Sequence, residues 1–206
     1  GDLQKLIKKT FTEHQRIIFN GNGYDDAWLA EAQRRGLSNL KSAADALPAY
    51  IAPKNVELFV KHGIYTKEEI QARFEIHVEN YRNILVIEAT TMVDMIRHQI
   101  LPAVSRYSAD LCSRANAKAA AGVSHRYESD TAQVISALTD ALMDACGALE
   151  EDLRAMPADP QEAMNFCHNV LTGHMAEARA AADQLEEHTA SEYWPFPVYA
   201  DLMFSV

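Results

Sequence analysis

A chain of 206 residues is long enough for one or two domains and for a substantial core without disulfide or metal support. Apolar residues make up 48% of it but are spread among charges, with no stretch approaching the roughly 18 to 20 uncharged residues of a membrane span. The formal net charge of −10 is uneven, with nine Lys/Arg against seven Asp/Glu over residues 1–66 and ten against twenty-two over residues 67–206, so the basic stripe that nucleic acid requires is missing.

Residues 2–16 place Leu3, Leu6, Ile7 and Phe11 at helical spacing with lysines between them, which predicts an amphipathic helix ending near Arg16. The chain starts one residue before this helix, as though continuing from something upstream. The apolar run Arg16-Ile17-Ile18-Phe19 then meets two Asn-Gly pairs, Asn20-Gly21 and Asn22-Gly23, which tolerate positive φ and favour tight turns. Gly21 and Gly23 lack a third glycine and the strand-to-helix context of a dinucleotide loop, and no Gly-Lys-Ser/Thr loop for phosphate occurs.

Asp25 caps a short helix through about Arg35, stopped by Gly36, and a second runs from about Pro53 to His62 before Gly63. Thr66-Lys67-Glu68-Glu69 forms a capping box that opens a helix of about fifty residues, marked by Ile70, Phe74, Tyr81, Ile84, Leu85, Met92, Ile96, Ile100, Val104 and Leu111. Pro102 predicts a kink near His98 to Pro102, or a break into two helices, and the pattern then resumes to Gly122. Two more helices follow, over about 127–156, with Ser129 or a neighbour as its cap, and about 160–189, joined by Met156-Pro157-Ala158-Asp159-Pro160 with Asp as cap and Pro at the first helical position. So short a connection makes them an antiparallel hairpin. The fold class is therefore mainly α: short helices, then an antiparallel three-helix bundle with an alanine-rich seam.

The end of the chain differs, because Pro195 and Pro197 forbid further helix and aromatics crowd together. Trp194, Phe196, Tyr199 and Phe204 would be an aggregation hazard if all were exposed. They are docking candidates, packing either on this chain's own short helices or on another domain or subunit.

The chemistry available within the bundle is thin. No histidine stands three residues after a glutamate, as a carboxylate-bridged metal pair in a helical bundle would need, and no His-Glu-x-x-His occurs. Cys167 and His174, seven apart, read as a packed core pair, and Asp94 with His98, four apart, as a helix-stabilising contact. Glu88 interrupts an apolar face and, if buried, needs a partner such as Arg82 or a neighbouring subunit's cation; it is a candidate interface residue. Cys112, Cys146 and Cys167 each sit among Ala, Leu and Met and read as small buried apolar groups. With three cysteines and no signal-like amino terminus at Gly1-Asp2-Leu3-Gln4-Lys5, the expectation is a reduced, cytoplasmic protein.

Two blocks, Arg16-Ile17-Ile18-Phe19-Asn20-Gly21-Asn22-Gly23-Tyr24 and Lys54-Asn55-Val56-Glu57-Leu58-Phe59-Val60-Lys61-His62-Gly63-Ile64-Tyr65-Thr66, resemble the region that follows the catalytic core in type III glutamine synthetases. The segment from Ala46 to about Tyr81 is also similar to the end of shorter bacterial glutamine synthetases. The ending from Trp194 to Val206, with Pro195, Pro197, Asp201 and Phe204-Ser205-Val206, resembles the common close of the superfamily. The helices over about 83–190 then look like a type III insertion between shared pieces.

The resemblance implies residues 1–65 as short helices and turns leading from an upstream catalytic core, 66–190 as a helical bundle, and 191–206 as a docking tail. It implies a parent homo-oligomer that makes glutamine from glutamate and ammonia with ATP and magnesium. No position here matches the family's metal-binding glutamates, Gly-rich segments or catalytic arginines, so no catalytic, cofactor-binding or metal-binding residue is carried over. Two other readings stand beside it. One is a freestanding acidic helical interaction or regulatory module; in the other, the Asn20–Gly23 loop or the Asp94/His98 region reaches the parent's active site from a neighbouring subunit.

Overall fold

Hydrogen bonds accepted by the side chains of Asp25, Thr66 and Asp159 set the starts of three helices in the computed structural model, which describes residues 1–18 and 20–204, apart from the side chains of Tyr199 and Ala200. Phe19 and the closing Ser205-Val206 lie outside the described residues. All regular structure among the described residues is helical, and no helix there is long and apolar enough to cross a membrane.

The chain divides into two compact units, Gly1–Ser42 and Ala43–Val206. The first holds α1 (Asp2–Glu13), a 3₁₀ turn at Gln15–Ile17, and α2 (Asp26–Arg34). Asp25 caps α2 by accepting the Ala27 N–H at 3.0 Å. Glu31 gathers Arg34 and Arg35, each at 2.6 Å, and their hydrogen bonds hold its carboxyl down at about 2. Arg35 also donates to the Arg16 carbonyl at 2.7 Å, tying α2 to the 3₁₀ turn. No residue of α1 is buried.

In the second unit, α3 (Ala43–Ala46), a 3₁₀ turn at Leu47–Ile51 and α4 (Pro53–Lys61) precede the long α5 (Lys67–Met95). The boundary thus puts α3 and α4 with the bundle, whereas the sequence grouped them with residues 1–65. The α5 capping box is complete: the Thr66 hydroxyl accepts the Glu69 N–H at 3.1 Å, and the Glu69 carboxylate accepts the Thr66 N–H at 2.8 Å. Gly63 (φ 62°) ends α4 in the left-handed conformation that glycine adopts without steric cost.

Pro102 does not break the long helix. The backbone passes through a π-helical turn at Ile96–Ile100 into α6 (Leu101–Ala120), with Pro102 in the first turn of α6. The Leu101 N–H donates to the Ile96 carbonyl, five residues back, and this wider turn accommodates a residue that has no N–H of its own. Gly122 (φ 68°) turns the chain into α7 (Arg126–Ala155). His125 is its N-cap and forms no side-chain capping bond, so the expected cap from Ser129 or a neighbour is corrected: the helix starts ahead of Ser129. Asp159 caps α8 (Pro160–Phe166), accepting the Glu162 N–H at 2.9 Å. A second π turn at Cys167–Leu171 leads into α9 (Thr172–His188), and α10 (Tyr199–Phe204) follows the proline-containing tail.

The run from Lys67 to Ala120 is about 80 Å long at 1.5 Å per residue, and the α7 to α9 hairpin packs along it as the expected three-helix arrangement. Its main core joins Ala89, Ile96, Ile100, Val104 and Leu111 of the long run to Ile135, Leu142 and Leu149 of α7 and Leu171, Ala178 and Leu185 of the returning helical segment. Alanines at 89, 103, 145, 163, 178 and 181 are all buried, which lets the helices approach closely. A smaller core gathers Ala44, Phe74, Val78 and Met164 under the 3₁₀ turn.

Candidate functional site

The tail enters the second unit through Tyr193, just beyond a turn in which the Tyr193 N–H donates to the Ala190 carbonyl at 2.8 Å. Its hydroxyl donates to Asp110 on α6 at 3.1 Å, and Arg114 holds the same carboxylate at 2.8 Å. The ring lies 4.9 Å from that of Tyr107, whose hydroxyl is pushed up to about 12, first by burial and then by its bond to Tyr127. Tyr193 is itself raised by its bond to Asp110. Both phenols therefore stay protonated and able to donate through the physiological range.

Trp194 follows, 9% exposed and part of the main core, with Phe196 edge-on to it at 6.2 Å. These two rings pack on the bundle, not on the short helices. Phe204 behaves differently: it is 79% exposed, alongside exposed Leu202 and Met203. The Tyr199 side chain lies outside the described residues.

Between the tail and the bundle is a pocket of about 510 Å³. Met92, Met95, Ile96 and Ile100 form the wall from the long run, and Met175, Ala178 and Ala182 the wall from α9. Trp194, Phe196 and Pro197 close it, and Arg179, Asp183 and Glu186 line it at α9. Arg179 is bound to Asp183 at 2.6 Å. Beside the pocket, Arg97 in the first π turn makes a two-pronged ion pair with Glu150 on α7 at 3.0 and 3.1 Å. That pairing holds the Glu150 carboxyl below its usual range and anchors the π turn to α7.

Glu88 is exposed, as are its neighbours Ile84 and Ile87, so the expectation of a buried apolar face there is corrected. Arg82 does not reach it. The Arg82 guanidinium instead lies 3.5 Å from Asn83 Oδ1, and its Nε is buried without a hydrogen bond. Six residues apart on a helix of 3.6 residues per turn, positions 82 and 88 differ in direction by about 120°, which explains the failure.

Asp94 and His98 do touch, at 2.8 Å, but both are exposed. Cys167 and His174 are not the packed pair expected. Cys167 donates to Met156 Sδ at 3.8 Å, whereas His174 Nδ1 lies 2.6 Å from Asp152 Oδ2. The π turn between them adds a residue to one turn and rotates the following face by about 100°. The bond to buried Asp152 raises the His174 pKa above its ordinary value. Cys112 is exposed, correcting its buried assignment, while Cys146 and Cys167 are buried with their thiols pushed up by desolvation. Among the described residues no group of three or more His, Cys, Asp or Glu side chains is placed to hold a metal.

Sequence reasoning missed Tyr193 with Asp110, Arg97 with Glu150, and His174 with Asp152, whose members are 83, 53 and 22 residues apart. No local spacing rule marks pairs that only helix packing brings together.

Comparison with known proteins adds the context for these surfaces. Residues 2–119 match the glutamine synthetase C-terminal domain. The chain is 33% identical, over 99% of its length, to a glutamine synthetase of Butyrivibrio fibrisolvens, and covers 30% of that protein. It is 29% identical over 97% of its length to a type-3 glutamine synthetase of Dictyostelium discoideum, covering 28% of it. To a glutamine synthetase of Bacteroides fragilis (strain YCH46) it is 24% identical over 98% of its length, covering 29%. The chain thus spans about three tenths of the length of the curated relatives it matches.

Proposed function

Because the chain belongs to the family of glutamine synthetase C-terminal domains, we propose that it is the structural and assembly part of a larger, cytoplasmic, ring-forming ligase that makes glutamine from glutamate and ammonia, using ATP and magnesium bound elsewhere in the protein. The observation that carries this reading is the apolar stripe of α1. Leu3, Leu6, Ile7 and Phe11 are 49–70% exposed on one amphipathic helix, an arrangement that water disfavours and that a covering surface from the rest of the protein relieves. The open faces at Ile84 and Ile87 and at Leu202 to Phe204 extend the area available to the parent chain and to neighbouring subunits. The freestanding-module reading loses ground because relatives of about three times this length match the chain nearly end to end.

The test compares the full-length protein with one lacking residues 83–190, reading glutamine formation and oligomer mass together. Lost assembly with lost activity supports the proposal, whereas intact rings with normal rates overturn it. The 206-residue chain alone is expected neither to bind ATP tightly nor to make glutamine.

A further inference from the structure

We propose that the pocket between the aromatic tail and the bundle is a binding site for a small amphipathic cation, an alkyl or aryl group carrying an ammonium. The site lies wholly within the Ala43–Val206 unit and does not depend on the assembly role.

Ile96, Ile100, Ala178 and Trp194 line the pocket and are themselves core residues, so the space is sunk into the packed unit. Its volume of about 510 Å³ falls within the range of small-molecule sites, roughly 300 to 1,000 Å³. The space exists for identifiable reasons. Three alanines, Ala176, Ala178 and Ala182, line it from α9, the π turn lies in the opposite wall, and the prolines at 195 and 197 keep the tail out of helix so that Trp194 and Phe196 form one side. Three methionines, 92, 95 and 175, supply polarizable, adaptable walls that accept varied apolar shapes.

Charge then selects the occupant. Arg179 is bonded to Asp183 and also feels the charge of half-buried Glu186, so the three charged residues lining the pocket leave one net negative charge there. Trp194 and Phe196, edge-on to each other, also line the pocket, and an aromatic wall adds attraction for a cation. The surrounding sequence carries ten Lys/Arg against twenty-two Asp/Glu over residues 67–206, a field that favours cations and opposes anions. The same acidity disfavours a second copy of this chain as the occupant.

The chain has two tryptophans, so a Trp28→Phe variant leaves Trp194 as the sole indole reporter. Its emission is followed during titration with hexyltrimethylammonium, 1-hexanol and hexanoate. The expected result is a saturable change with the cation preferred over hexanol by about tenfold and hexanoate weakest. Glu186→Gln should erase most of that preference while leaving hexanol affinity unchanged, and Ala182→Phe should abolish saturation with the unfolding transition retained. Equal affinity for cation and alcohol overturns the charge selection, and no saturable response to any probe overturns the site. Trp194 emission that varies with protein concentration, together with sedimentation as a dimer, assigns the pocket to a second copy and also overturns the proposal.

Discussion

Replacing Trp194 with alanine tests whether the tail is part of the folded unit or an appendage on it. The indole is 9% exposed, so it buries about 200 Å², worth about 5 kcal/mol at ~25 cal/mol per Å². The alanine recovers part of that, and the expected loss is about 3 to 4 kcal/mol, in the range of buried tryptophan truncations. This loss has a ceiling: it cannot exceed the free energy with which the whole tail docks, because the variant can always release the tail. Tyr193 raises that ceiling, since its bond to Asp110 and its contact with Tyr107 hold the tail at a second point. Urea unfolding followed by far-ultraviolet circular dichroism should show a midpoint lowered by about 1.5 to 2 M, taking a slope of about 2 kcal/mol per M. A chain ending at Ala190 sets the ceiling and should lose at least as much. A Trp194→Ala midpoint within about 0.3 M of the unmodified chain would show that the tail contributes nothing to the fold and would refute the reasoning.

Thr66→Ala removes one bond of the α5 capping box and should lower stability by about 1 kcal/mol, measured by thermal unfolding; Thr66→Asp, which retains an acceptor, should recover most of it. The His174 pKa is raised by Asp152, so their pairing contributes fully below the ordinary value of 6.5 and fades as pH rises through the higher folded value. The urea midpoint should therefore fall as pH rises from about 6 into the mildly alkaline range in the native chain and change less in His174→Gln, and parallel profiles would show that the pair contributes nothing to stability. Of the three thiols, Cys112 is exposed and the other two are buried. A disulfide exchange reagent should titrate one equivalent quickly and the remaining two only on unfolding; rapid reaction of all three would contradict the packing described.

Local chemistry made the helix boundaries legible. Asp25, Thr66 and Asp159 accept amide hydrogens within three residues of themselves, and Gly63 and Gly122 adopt conformations that a side chain would penalise. The three-helix arrangement follows because helices of this length joined by a few residues have little choice but to fold back on one another. The two blocks around residues 16–24 and 54–66, with the chain's ending, carry the family resemblance in their residues alone. Which face each helix buries was another matter. Ile84 and Glu88 share the helical pattern of Leu85 but face outward, and Cys112 sits among alanines yet remains exposed, because burial depends on what a distant segment places opposite. The π turns at Ile96–Ile100 and Cys167–Leu171 rotate the faces beyond them in a way a 3.6-residue count does not foresee. The pocket, and the pairs Arg97 with Glu150 and Tyr193 with Asp110, join residues far apart in the chain, and tertiary packing alone decided that they meet.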